Sequence, residues 1–338
     1  MRRALPPTLA IIAAAVTALP GCGTSAADEQ ADLVVYSGRI PGLIGPVIDS
    51  YEKATGLDVE TRFGDTASLA ATLLEEGENS PADVFISQDA GALGALQDAG
   101  RLAPIETATL EKVPPQFRSS EDDWVGVSAR ARIVAYAPER VDEADVPASI
   151  LEFAQPEWRG RVGWAPTNAS LQAQITAMRT RIGDEAVGEW LAEMVANDVQ
   201  VYPDNAAVRD AIANGEIDVG LINHYYVAQA IAAEGSDYPV AIHYLQASDP
   251  GSLVNVAGVA PIAGNNRPER TAEFIDFLLA ERSQRYFAEG SKEYPLVRGV
   301  PADPSLRPLA RIEQPDIDLS QIADLEGTLE LMRERGAL

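Results

Sequence analysis

Short apolar runs rich in valine and isoleucine alternate along this chain with longer segments whose apolar residues recur at helical spacing. Leu33-Val34-Val35-Tyr36 opens the series and predicts a first strand, followed by a turn at Ser37-Gly38-Arg39. From Leu43 to Ala54, Leu43, Ile44, Val47, Ile48 and Tyr51 fall on one helical face, and Gly56 closes the segment. A strand is predicted over 57–62, a helix from Ser68 to Glu76 stopped by Gly77, and a strand at Asp83-Val84-Phe85-Ile86. A helix from Ala90 to Ala99 then ends at Gly100. This β-α-β-α-β-α order predicts a parallel, doubly wound sheet.

The segment from Trp124 to Tyr136 differs: it is long, alternates, and carries Arg130 and Arg132 on one face. It predicts a strand that crosses from a first lobe into a second. The two arginines are either solvated charges on an exposed edge or ligand groups. In the second lobe, strands are expected over 161–164, 199–202, 217–222 and 240–244. Helices are expected over 171–181, 184–197, 206–213 and 225–234. Ala165-Pro166-Thr167-Asn168-Ala169-Ser170 before one of these helices is an ordinary capping sequence, and it also presents free N–H groups to an anion. The apolar stretch 252–260 predicts the return crossing, and helices follow over 271–280, 281–288 and 321–335. The expected fold class is α/β: two doubly wound lobes joined by two crossing hinge strands, with 32–129 and 254–338 in the first lobe and 130–253 in the second.

Charge narrows the function. The 338 residues carry a net charge of -25, which argues against a nucleic-acid partner, whose binding needs clustered Lys and Arg. Any anion site must be built locally against that field. The lone cysteine, Cys22, cannot form an intramolecular disulfide. It follows a basic start (Arg2, Arg3), an apolar run from Leu9 to Leu19, and Leu19-Pro20-Gly21. That arrangement resembles a bacterial lipoprotein signal over 1–21, more than a plain secretory leader, with Cys22 as the lipidated residue and 22–31 as a tether. The expectation is a soluble monomer, lipid-anchored on the extracytoplasmic face of the cell membrane.

Enzyme signatures are missing: the chain has no G-x-S-x-G elbow, no phosphate-binding G-x-x-x-x-G-K-[ST] loop and no H-E-x-x-H, and its histidines are His224 and His243 alone. The best candidate site is Ile222-Asn223-His224-Tyr225-Tyr226, where a strand gives way to a helix. Ligands bind in open α/β sheets at such carboxyl strand ends. Two phenols are hard oxygen donors and suit a hard, highly charged cation, ferric iron above all. A trivalent ion supplies the local charge that removes the phenol protons, and a bound anion would neutralise the remainder. A random tyrosine pair would more often be core and surface; position is what favours a site here. His224 is not counted as a ligand, because adjacent side chains diverge.

The chain resembles the ferric-iron-binding solute-binding proteins of bacterial ABC importers, which have the type II periplasmic-binding fold. The stretches that carry the likeness include Val35-Tyr36-Ser37-Gly38-Arg39, Ser80-Pro81-Ala82-Asp83-Val84-Phe85 and Trp124 through Arg132. Pro166-Thr167, Gly215 through Tyr226, Asp249 through Val254 and Glu293-Tyr294-Pro295-Leu296 complete the set in order. The resemblance implies Tyr225 and Tyr226 as iron-binding phenolates. It places a synergistic anion, carbonate or phosphate, near Asn168, Ala169 and Ser170, with Asn205 and Asn223 beside them. Some relatives hold carbonate with arginines, a role open here to Arg39, Arg130 or Arg132. Cargo would pass to a permease driven by a separate ATPase.

Two positions depart from the family. Relatives often carry a histidine after the first strand, where Ile40 and Pro41 stand here, and a glutamate where Gln88 stands, beside Asp89. Tyr36 is a candidate third phenol. The alternative is the same fold binding an organic anion, a phosphonate or an iron chelate through Arg39, Arg130 and helix N-termini.

Overall fold

Burial of every position in β1 (Leu33–Ser37) requires cover on both of its faces. The computed structural model describes residues 31–312 and 317–338; the leader, Cys22 and the tether up to residue 30 lie outside them. α1 (Pro41–Thr55) supplies one cover with Leu43, Ile44, Val47, Ile48 and Tyr51, and Gly56 ends it with φ 74. That left-handed backbone suits glycine, and its N–H closes on Glu52 O. β2 (Val59–Phe63) and β3 (Val84–Ser87) flank β1 in parallel. Between them α2 (Thr66–Glu76) is capped by Asp65, whose carboxylate accepts the N–H groups of Ala67 and Ser68. α3 (Ala90–Asp98) is capped by Asp89, and a single turn, α4 (Thr107–Leu110), precedes the long strand.

That strand, β4 (Val125–Tyr136), is buried throughout and does cross the molecule. Beyond it come β5 (Val162–Trp164), α5 (Ala169–Ile182), α6 (Asp184–Ala196), β6 (Gln200–Val201) and α7 (Asn205–Ala213). Next are β7 (Val219–Asn223), α8 (His224–Glu234) and β8 (Ala241–His243). The chain returns through β9 (Val254–Pro261), α9 (Pro268–Leu278), α10 (Glu281–Glu289), β10 (Tyr294–Pro295) and α11 (Leu325–Glu334). The strand order is β2-β1-β3-β9-β4-β7-β5-β6, with β8 and β10 also on β4. β4 pairs with β9 from Val125 to Ala131 and with β7 from Arg132 to Tyr136, so one strand belongs to two half-sheets. One core surrounds β1, β3 and β9, and a second gathers Trp164, Leu171, Ile175, Trp190 and Leu221.

Three expectations need correction. Arg130 and Arg132 are not edge charges: β4 is an inner strand and both side chains are buried. The terminal helix starts at Leu325, after a 3-10 turn over Leu319–Ile322, not at Gln321. It also leaves the half-sheet to which 254–338 was assigned. The 3-10 turn sits on α3, where Gly91 and Gly94 leave room that a Cβ would close, 2.6 Å from Ile322 O and 2.7 Å from Ser320 O. α11 then packs on α5 and α6, with Leu331 and Met332 in the second core. Arg179 bonds the Asp324 carbonyl and Thr328 Oγ1 and pairs with the Asp324 carboxylate. Amphipathic periodicity shows that a helix needs an apolar partner, but not which half-sheet supplies it. β10 is too short to leave any periodic trace.

A buried ion pair joins the turn after β1 to the segment before β10. Arg39 Nη1 and Nη2 donate to Glu293 Oε1 and Oε2 at 3.2 and 2.6 Å, and neither side chain is exposed. Burial works against the Glu293 carboxylate, but the Arg39 charge and hydrogen bonds win and hold its pKa below the ordinary value. Its stabilising contribution is therefore present above the unfolded carboxyl range and is lost as pH falls through the depressed folded value. Glu293→Gln strands the Arg39 charge, and we expect a loss of about 3–5 kcal/mol in urea unfolding at neutral pH. The gap to wild type should begin to narrow below the unfolded carboxyl value of about 4.3 and close only as pH falls through the depressed folded value, where the wild-type carboxyl also protonates. An unchanged neutral-pH midpoint would contradict this account of the pair.

Candidate functional site

β7 runs into α8 without a loop, so Tyr225 and Tyr226 occupy the first turn of the helix at the carboxyl end of the strand. Their rings stack with centroids 4.4 Å apart and planes at 30°. Tyr225 is 1% exposed and Tyr226 is half-buried. Both line a cavity of about 380 Å³ between the half-sheets. The far wall comes from Gly38 and Ile40 after β1, Asp65 and Thr66 at the start of α2, and Gln88 after β3. Gly38 is required there: a Cβ would run into Thr66 Oγ1. On the near wall, Asn168 and Ala169 begin α5.

Amide side chains hold the near wall together. Asn223 Nδ2 donates to Ser170 Oγ at 3.1 Å and faces Tyr225 Oη at 3.4 Å. Asn168 Oδ1 accepts the Ser170 N–H at 3.0 Å and Asn205 Nδ2 at 3.2 Å. Ser170, Asn205 and Asn223 are all buried. Asn205 Oδ1 and Gln88 Oε1 are buried oxygens without a hydrogen-bond partner among the described residues. Burial pushes the Tyr226 phenol well above its ordinary range; the adjacent Tyr225 adds to the shift and a hydrogen bond with Asn205 opposes it.

The three arginines have separate fates. Arg39 is spent on Glu293 and Ser128 and does not line the cavity. Arg132 donates from Nε to Gln174 Oε1 at 2.9 Å, from Nη1 to Asn223 Oδ1 at 3.2 Å and from Nη2 to Leu221 O at 2.7 Å. Burial lowers its pKa to about 9, against the favourable charge of Tyr225. These two are structural, contrary to the expectation of free anion ligands. Arg130 is 0% exposed, yet Nε, Nη1 and Nη2 all lack hydrogen-bond partners among the described residues. Burial lowers its pKa; Tyr225, Glu293 and Asp89 favour the cation and Arg39 opposes it. Like Arg39, Arg130 is not among the residues lining the cavity, but its five unpartnered donors are the kind an anion could satisfy.

Tyr36 is not brought to the cavity. Its hydroxyl donates to Glu76 Oε1 at 3.0 Å and accepts from Arg62 Nη1 at 3.2 Å, with the Arg62 guanidinium over the ring. Burial raises its pKa. It belongs to the β1–α2 packing. His224 does not face the cavity: Nδ1 accepts the Ala131 N–H at 3.2 Å, and burial pushes its pKa down to about 4. Sequence reasoning passed over Thr66 as cavity wall, and Glu293 as the partner of Arg39. Glu293 stands in the stretch Glu293-Tyr294-Pro295-Leu296, but nothing in that stretch points to Arg39. Among the described residues no group of three His, Cys, Asp or Glu side chains could hold a metal, so the phenols, the lone Asp65 carboxylate and amide oxygens are the cavity-wall side-chain donors of the type that suits a hard cation.

Two α/β half-sheets sharing a crossing strand, with a cavity between them, define the type II periplasmic-binding architecture of ligand-binding proteins. The profile of the family described as bacterial extracellular solute-binding protein matches residues 79–319, and the chain belongs to that family. The "Fe(3+)-binding periplasmic protein" of Serratia marcescens is 32% identical over 319 residues, 94% of each chain. The structure of iron-bound HitA from Pseudomonas aeruginosa superposes with a TM-score of 0.85 at 33% identity, covering 90% of this chain and 99% of that one. The Trichodesmium IdiA (FutA) structure, in complex with iron and citrate ligands, has a TM-score of 0.77 at 30% identity, again over 90% and 99%.

Proposed function

We propose that this chain is the extracytoplasmic iron-binding component of an ABC importer. Ferric iron binds in the interlobe cavity, Tyr225 and Tyr226 coordinate it as phenolates, and the loaded protein delivers it to a membrane permease coupled to an ATPase. The observation that carries this reading is the stacked tyrosine pair at a strand-to-helix switch, opening onto a cavity between two half-sheets. The ferric-iron relatives support it. A carbonate or phosphate completes the coordination, held by Arg130 and by the N–H groups at the start of α5 beside Asn168, Ala169 and Ser170. Gln88 Oε1 and the Asp65 carboxylate, both on the cavity wall, are further oxygens open to the cargo or its water. Lobe closure follows from differential affinity, since cargo touching both walls favours the closed form. Cys22 would carry the lipid that keeps the protein at the membrane. Among the described residues no helix is long and apolar enough to span one.

The test is direct. Protein mixed with ferric nitrilotriacetate and bicarbonate is expected to develop a visible phenolate-to-iron charge-transfer band. A colourless wild type under these conditions overturns the metal role.

A second reading, a ferric chelate as cargo, is favoured by the far wall. There Ile40 is 60% exposed, Gln88 offers a neutral carbonyl, and the volume exceeds what an ion and a small anion need. Calorimetry against ferric citrate and against ferric nitrilotriacetate with bicarbonate separates the two: tighter citrate binding with the citrate retained supports the chelate.

A further inference from the structure

His224 sits beside the tyrosine pair without facing the cavity, and the hinge strand explains why. β4 changes partners between Ala131 and Arg132: Ala131 makes the last rung with β9, opposite Val254, and Arg132 the first with β7, opposite Asn223. The Arg132 N–H turns back to Leu253 O at 2.9 Å. Successive N–H groups point to opposite sides of a strand, so the Ala131 N–H points to the β7 side. There β7 has already ended at Asn223 and the chain has become α8. No strand carbonyl follows to accept it, and a buried N–H left unpaired is costly. His224 Nδ1 takes that bond at 3.2 Å.

The imidazole is clamped in that direction. It is 0% exposed, Tyr294 of β10 stacks on it with centroids 4.6 Å apart and planes at 21°, and the Tyr225 ring meets it edge-on at 5.9 Å and 84°. β10 pairs with Ser128 and Ala129, on the β9 side of the partner switch. The ring therefore couples the start of α8 to both half-sheets. With Asn223 held by Arg132 and His224 held by Ala131, both residues before Tyr225 are tied to β4.

We infer that His224 is a positioning residue: by accepting the Ala131 N–H where β4 changes partners, it sets the direction of the Tyr225 phenol. Its effect on cargo rests on the reading of Tyr225 as an iron ligand. Its effect on the phenol itself does not. Donors held in place before the ion arrives lose less freedom on binding, which slows release.

Two substitutions separate acceptor from bulk. Leucine at 224 fills much of the space but accepts nothing, whereas asparagine places an oxygen where Nδ1 stands. In iron-free protein labelled with 15N and 13C-tyrosine, His224→Leu is expected to speed Ala131 amide exchange about tenfold, the loss of one hydrogen bond, and to shift the Tyr225 ring resonances. His224→Asn restores both. In loaded protein, His224→Leu releases iron to a chelator about tenfold faster with a displaced charge-transfer band, and His224→Asn stays near wild type. Equal behaviour of the two variants overturns the inference, as does an unmoved Tyr225 resonance in the leucine variant. If wild type never takes up iron, the cargo reading falls, while the amide and ring measurements on iron-free protein still decide the role of His224. Should the leucine variant not fold, a coupling across the hydrogen bond between Ala131 N and His224 Nδ1 in wild type decides: its presence supports the role and its absence overturns it.

Discussion

Replacing both Tyr225 and Tyr226 with phenylalanine is expected to abolish ferric binding and its colour while leaving the fold intact. The rings keep their stack, because phenylalanine retains the faces that meet at 4.4 Å. What is lost is the pair of oxygens. The weak 3.4 Å contact from Asn223 Nδ2 goes, but its 3.1 Å bond to Ser170 remains, so the amide keeps a partner. Tyr226 loses a hydroxyl that burial already disfavours in its charged form. Thermal stability should therefore stay close to wild type. Affinity should not. Outer-shell partners of a metal typically contribute about 10- to 100-fold, and a charged donor on the ion contributes more. Loss of both is expected to exceed about 10⁴-fold in chelator competition. A double variant that keeps wild-type colour would show that the phenols are packing residues. Acid dependence gives the same pair a second signature. Burial lifts the Tyr226 proton affinity, so protons compete with iron at neutral pH. Two phenolates formed below the ordinary phenol range release about two protons, and affinity should rise about 100-fold per pH unit between about pH 6 and 8.

Arg130→Met is expected to remove the dependence of iron binding on bicarbonate. Arg130 is the one of the three arginines near the tyrosines whose nitrogens all lack partners among the described residues. A bidentate, charge-assisted contact to an anion is worth roughly 1.5–3 kcal/mol. Bicarbonate should therefore strengthen wild-type binding about 10- to 100-fold more than it strengthens the methionine variant. The neighbouring arginines supply the controls. Arg39→Met leaves the Glu293 carboxylate buried without its bidentate partner and should cost about 3–5 kcal/mol of stability with or without bicarbonate. Arg132→Met releases Gln174, Asn223 and the Leu221 carbonyl together, and should also act through stability. If bicarbonate acts equally on wild type and Arg130→Met, the anion lies elsewhere, with the start of α5 the next place to probe.

Much of this was legible before any coordinates. Alternating apolar runs and helical spacings announced the order of strands and helices, because one strand buried on both faces and one amphipathic helix each leave a local periodic trace. The long alternating run ending at Tyr136 announced a crossing strand for the same reason. The tyrosine pair could be placed at a strand end because β7 and α8 meet without a loop, so position in sequence is position at the sheet edge.

Other features depend on contacts between residues far apart in the chain, and periodicity is blind to those. Arg39 is neutralised by Glu293, 254 positions away, and nothing near either residue says so. Arg130 and Arg132 lie two residues apart on one strand; the change of partner strand between them leaves one with three hydrogen bonds and the other with none. Tyr36 looked like a third phenol until Glu76 and Arg62 claimed its hydroxyl. The terminal helix carried a clear apolar stripe, yet only the groove between α5 and α6 determined where that stripe is buried. Local sequence sets which segments form strands and helices, since backbone hydrogen bonding and amphipathicity act over a few residues. Which arginine stays free, and which phenols face the cavity, is decided by long-range packing and charge compensation, which exist only once the two half-sheets are assembled.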